Sequence, residues 1–114
     1  MRRLTWRIPR RRWRIVAQVA EADLVADWIV AHGIVTVGSP SAGKWAVFDC
    51  PCGSERIMLN LDRTRPPAWS LSQGLLRGAS IHPSVDTHHD GRRCHYYMRK
   101  GRVLWAQGNR EERR

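Results

Sequence analysis

The sequence predicts a mainly β (α+β) fold: a small zinc-ribbon-like or sandwich-like antiparallel sheet with one N-terminal helix. Three observations lead there. Beyond residue 33 the apolar residues alternate with polar ones or come in strand-length bursts. Gly and Pro interrupt these bursts too often for long helices. Helical spacing shows in one stretch, residues 20–32. At 114 residues, 42% of them hydrophobic, the chain suits one domain with a modest core. We divide it into a basic arm or first strand (1–14), a single globular domain (15–109) and a disordered tail (110–114).

The elements follow in order. In "AEADLVADWIVAH" (20–32), Leu24, Val25, Trp28, Ile29 and His32 share one helical face, and Gly33 is a natural stop. "IVTVG" (34–38) and "KWAVFDC" (44–50) flank a Pro- and Gly-bearing "SPSAG", which predicts a hairpin. "ERIMLNL" (55–61) sets Ile57, Leu59 and Leu61 against Arg56, Met58 and Asn60. "DRTRPP" (62–67) reads as a loop, because paired prolines cannot donate to a ladder. "AWSL" (68–71) is a short strand or edge, "SQGLLRG" is turn-rich, and "ASIHPSV" (79–85) is extended but interrupted by Pro83. "DTHHDGRR" (86–93) reads as a polar loop. "CHYYMRKGRVLWA" (94–106) reads as a hairpin turning at Lys100–Gly101.

Charge is unevenly spread. The net charge is +10, and residues 1–14 hold seven arginines and no acid, leaving the remainder close to neutral. Clustered arginines release counterions from phosphates, so residues 2–14 are a candidate nucleic-acid contact. Trp-Arg-Ile occurs at 6–8 and again at 13–15, as in a strand with one basic face. This leader lacks the unbroken apolar core of a secretory signal, and no stretch approaches the roughly 20 apolar residues of a membrane span. The expected location is the cytoplasm. There, three cysteines fit a metal site or reactive thiols better than a structural disulfide.

All three cysteines and four of the five histidines fall into two patches, "CPCG" and residues 82–95. Cys50 and Cys52 sit on a tight turn, with Gly53 letting the backbone bend. Cys94 lies about forty residues on, beside His88, His89 and His95. A Cys₃His zinc site is the obvious composition, with Cys50, Cys52 and Cys94 as ligands and His89 or His95 as the fourth. Cys94 and His95 are adjacent in a predicted strand, so regular geometry allows only one of them to join the site.

The same region offers a rival chemistry. Ser84 in "HPSV" and His95 in "CHYY" lie on neighbouring extended segments, which brings a hydroxyl and an imidazole within reach; Asp86 or Asp90 would orient the ring. No G-x-S-x-G elbow is present, but a triad is defined by geometry and needs none. Trp45, Trp69 and Trp105 read as core or half-exposed strand residues. His32 closes the helix face. "SAGK" (41–44) lacks the phosphate-loop frame.

Taken together and in this order, "CPCGS", "LNL", "PAWSL", "IHPSV" and "CHYYMRKGRVLW" resemble domain-of-unknown-function family 6527, a small bacterial group, over residues 34–106. Some members of that group are encoded beside ubiquitin-like proteins and their conjugation components. The resemblance therefore implies a role in processing, recognising or conjugating a ubiquitin-like tag, in a setting of antiphage defence. Two departures stand out: Ser54 replaces a cysteine that often follows C-P-C-G, and Cys94 directly abuts His95.

The leading expectation is a zinc-stabilised accessory domain that binds a protein partner, held by Cys50, Cys52 and Cys94 with His89 or His95. The first alternative is a Ser84/His95 peptidase acting on a ubiquitin-like protein. The second is a nucleic-acid binder led by the arginine arm.

Overall fold

In a computed structural model of the chain, residues 8–39, 42–53, 55–74, 76–89 and 91–106 are described. Two four-stranded sheets face one another. The first contains β1 (Arg14–Val19), β2 (Gly33–Ser39), β3 (Ala42–Asp49) and β4 (Arg56–Asn60), in that spatial order. The second contains β5 (Ser70–Gly74), β6 (Gly78–His89), β7 (Arg92–Arg99) and β8 (Arg102–Trp105), again in chain order. Every neighbouring pair is antiparallel except β1 and β2, which run parallel. Of the two architectures expected, the arrangement is sandwich-like; a zinc ribbon is not what forms.

Strand alternation explains the core. From the first sheet Ile34, Ala46, Phe48, Ile57 and Leu59 point inward, and from the second Ala79, Ile81, Val85, Cys94, Tyr96 and Met98 meet them. Phe48, Tyr96 and Met98 are wholly buried. Residue 13 ties the sheets together. Its N–H donates to the Gly101 carbonyl (2.9 Å), its carbonyl accepts from Ala79 N–H (2.9 Å), and Gly101 N–H donates to the Ala79 carbonyl (2.7 Å). The fit requires glycine at two places. A Cβ on Gly78 would lie 2.7 Å from the Trp13 carbonyl oxygen, and one on Gly101 would meet Arg12 Cβ at 2.8 Å. Both also have positive φ, which glycine alone adopts without cost.

Several expectations are corrected. The helix over 20–32 does not form; a short 3₁₀ helix, Ala22–Asp27, stands there with no side-chain cap. Parallel β1 and β2 need a crossover, and this segment supplies it. Val25 at 3% exposure and half-buried Ile29 pack on Val19, Val35, Val37 and Val47, whereas Leu24 and Trp28 of the expected helical face stay exposed. Two turns of tight helix cover that small patch. His32 adopts φ of 59° and stacks edge-on against Trp13 instead of closing a helix.

Residues 72–74, expected as part of a turn, lie in β5. Asp86, Thr87, His88 and Arg93, expected as a loop, are paired strand residues of β6 and β7. Polarity misled here because the outer face of the second sheet is bare, and a bare face carries polar residues. The hairpins at 34–50 and 94–106 and the loop at 62–67 form as expected.

Ile8 and Trp13, at 2% and 8% exposure, belong to the buried body. Arg12 and Arg14 turn onto backbone carbonyls, Arg12 at Arg77 (3.2 Å) and Arg14 at Ala31 (3.3 Å), rather than outward. Residues 1–7 of the expected arm and 110–114 of the expected tail lie outside the described residues.

Candidate active site

The hairpin of β6 and β7 builds the site. Along β7, Cys94, Tyr96 and Met98 face the core, so Arg93, His95 and Tyr97 face outward. Along β6, Val85 faces the core and Asp86 outward. Asp86 lies directly opposite His95. Just before this regular stretch the register slips: Ile81 pairs with Met98 and Val85 with Tyr96, so residues 82–84 face the single Tyr97. Such a bulge re-aims side chains. Ser84, at its end, emerges on the outer face with its Oγ 3.0 Å from His95 Nε2. The Trp69 indole anchors the bulge from behind by donating to the Ser84 carbonyl oxygen at 3.1 Å.

The surroundings are charged. Arg93 donates from Nε and Nη2 to the two Asp86 carboxylate oxygens at 3.0 and 2.8 Å, and its Nη2 lies 3.5 Å from His95 Nδ1. The Arg93 hydrogen bond holds the Asp86 carboxyl below the usual carboxylate range, helped by the charges of Arg93, His95 and His88. Asp86 thus remains an anion beside the imidazole. That carboxylate is neutralised by Arg93, whose guanidinium also stands against the imidazole. For Nε2 to act as base, the neutral ring must carry its hydrogen on Nδ1, and Arg93, which only donates, then makes no hydrogen bond to that nitrogen.

The cysteines gather on the opposite face of the same strand. Cys50, Cys52 and Cys94 have sulfur atoms all within 4.8 Å of one another. Cys50 Sγ lies 3.5 Å from Cys94 Sγ and 3.8 Å from the Tyr96 hydroxyl, while Cys52 and Cys94 are joined as a disulfide. Burial, followed by the neighbouring Cys50, pushes the Tyr96 phenol far above its usual range, so Tyr96 stays neutral beside the sulfurs. The turn forms as "CPCG" suggests: Gly53 N–H donates to the Cys50 carbonyl at 2.7 Å, with Gly53 at φ of 80°.

The predicted residues therefore separate into two sets. Cys50, Cys52 and Cys94 come together. His95, expected as a candidate fourth ligand, faces the other way, with Nε2 3.0 Å from Ser84 Oγ. The His89 side chain and Asp90 lie outside the described residues. His82 and His88 are exposed. Sequence reasoning missed Arg93 and Trp69. Period-two alternation gives a signal for Arg93, two residues before His95. No local pattern gives one for Trp69, whose partner is fifteen residues away across the bulge.

A groove of about 890 Å³ opens along β1, Leu24, Trp28, Leu61, Trp69 and Leu71. Neither Ser84 nor His95 lines it, although Trp69 borders both places. No helix among the described residues is long and apolar enough to cross a membrane.

Comparison with known proteins adds one match. A family model described as "Bacterial ubiquitination-like system serine protease (BubE)" covers residues 9–106. No curated protein and no solved structure gives a significant match. The matching description is not that of family 6527, but it shares with that resemblance the tie to bacterial ubiquitin-like systems. With nearly the whole described chain inside the match, the protein belongs to the BubE family.

Proposed function

We propose that the protein is a serine peptidase with Ser84 as nucleophile and His95 as general base, acting on a ubiquitin-like protein or its conjugates. The observation that carries this reading is the 3.0 Å separation of Ser84 Oγ and His95 Nε2 on an accessible sheet face. Hydroxyl and base at this distance match the requirement for nucleophilic acyl transfer.

In the first half-reaction Oγ bonds to the substrate carbonyl carbon as its proton passes to Nε2. The tetrahedral adduct collapses, the amine leaves with the proton from His95, and an acyl-Ser84 ester remains. A water then gives a proton to Nε2 and attacks the ester; as the second tetrahedral adduct collapses, His95 returns that proton to Ser84 Oγ and the acid leaves. Asp86 stays ionised throughout, paired with Arg93 beside the ring.

The test is labelling with a fluorophosphonate followed by peptide mapping. Adduct on Ser84 in the wild type, lost in both Ser84→Ala and His95→Ala, is expected. Wild-type protein that takes no label and cleaves no ubiquitin-like precursor would sink the reading.

A second reading concerns the sulfurs and is compatible with the first. In reduced protein Cys50, Cys52 and Cys94 would hold zinc as a structural ion. Zinc–sulfur bonds of about 2.3 Å in a tetrahedron place sulfurs about 3.8 Å apart, close to the Cys50–Cys94 separation of 3.5 Å. Bound zinc adds folding free energy and pins the turn to β7, the strand of His95. The cytoplasmic location expected from the sequence belongs to this reading, since reducing conditions keep all three thiols free. Elemental analysis with native and denatured intact mass decides it. One zinc per chain with three alkylatable cysteines supports it; a mass two protons lighter than the thiol form, with no metal, assigns the disulfide instead.

A further inference from the structure

The second sheet is not completed beside Ser84. β5 pairs with β6 only from Gly74–Gly78 to Ser70–His82, yet β6 continues to His89. From Ser84 onward β6 has β7 on one side, and among the described residues no strand on the other. The backbone of this stretch turns outward at alternate residues. Ala106 N–H donates to the His95 carbonyl at 3.0 Å, so His95 directs its backbone to the β8 side. Its partner Asp86 is then in a non-hydrogen-bonded pair, and the Asp86 N–H and C=O point to the open edge. Period two puts Ser84 and His88 in the same class. The Trp69 indole on the Ser84 carbonyl bears this out, reaching it from the open side.

We propose that this open edge of β6, through the backbone groups of Asp86 and His88, receives an extended segment of the substrate as an added strand and so delivers its carbonyl to Ser84. The proposal rests on the peptidase reading and deepens it by naming what is recognised. Trp69 occupies the Ser84 carbonyl and marks where β5 ends; the incoming segment takes the place β5 leaves vacant. Recognition is through main-chain hydrogen bonds, which tolerate varied side chains, while the strand's period of two leaves alternate residues free of contact.

An internally quenched decapeptide library supplies the probe, incubated with the full-length wild-type protein. The best-cleaved member is resynthesised with one backbone N-methyl group at each position in turn. Strand addition predicts losses of roughly tenfold in kcat/KM at every second residue on one side of the scissile bond, with little change between, as expected for single hydrogen bonds lost. On the protein, His88→Pro removes an outward donor without touching the β7 ladder and should lose at least tenfold more than His88→Ala. A flat N-methyl profile, or no cleavage of any extended peptide while Ser84 still takes the fluorophosphonate, overturns strand addition and leaves the peptidase reading intact. Ser84 without label, together with no cleavage of a ubiquitin-like precursor, removes the peptidase reading itself.

Discussion

The two sheets carry similar inner faces and opposite outer ones. The first sheet is apolar on both sides: Ile34, Ala46 and Phe48 face the other sheet, while Val35, Val37 and Val47 face the crossover that covers them. The second sheet is apolar on one side, and its other side carries Ser84, Asp86, Arg93 and His95. A sheet with both faces covered serves as scaffold. A sheet with one bare face can display reactive groups on rigid strands, where rotamers are set by cross-strand neighbours. In the proposed reading, function follows from what is left uncovered, and substitutions should divide the same way.

The largest contrast should come from one residue on each sheet. Ser84→Ala, on the bare face, is expected to lower peptidase kcat by about a thousandfold or more and to leave thermal stability within a few degrees. Phe48→Ala, at the covered interface, should cost about 3–5 kcal/mol of stability in a denaturant titration. A Ser84→Ala protein that unfolds, or a Phe48→Ala protein of full stability, would break the division. On the crossover, Val25→Ala should cost about 2 kcal/mol if the cover is needed; a change near zero would make the first sheet's outer face as dispensable as the second's. Trp69→Phe keeps the ring but removes the donor to Ser84. It should slow cleavage roughly three- to tenfold with little loss of stability, reporting how firmly the bulge is held.

The smallest effect concerns charge. Because Asp86 has a lowered pKa in the folded protein, its ionised form favours folding above the usual carboxylate value of about 3.9. That contribution fades as pH falls through the folded value. Half-exposed, its pair with Arg93 should be worth less than about 1 kcal/mol. Stability curves for wild type and Asp86→Asn should therefore differ slightly at neutral pH and merge in acid.

Much of this was legible in the sequence, for reasons of period. Hairpins at 34–50 and 94–106 declared themselves through alternating residues joined by Gly-bearing turns. The incompatibility of Cys94 and His95 in one site followed from adjacency alone, and the two side chains face opposite ways in β7. The crossover was misread because Val25 and Ile29 fit a helical stripe, whereas the patch beneath them is small. Residues 86–93 were misread because polarity resembles a loop when one sheet face meets water. The pairing of Ser84 with His95 was visible as a candidate but not as a distance: the bulge over residues 82–84 aims the hydroxyl, and nothing in "HPSV" specifies its register.

The junction at Trp13 bears on how the molecule assembles. Strands β5 to β8 form a meander of consecutive hairpins, each closing over a short loop, and β2 to β4 form another. Linking residue 13 to residues 79 and 101 closes loops of a length no hairpin here approaches, and long closures are entropically slow. The two meanders can therefore take shape locally, with the Trp13 junction locking them face to face late in folding. Gly78 and Gly101 are where a side chain would stand in the way of that docking, since a Cβ would lie 2.7 Å from the Trp13 carbonyl oxygen and 2.8 Å from Arg12 Cβ.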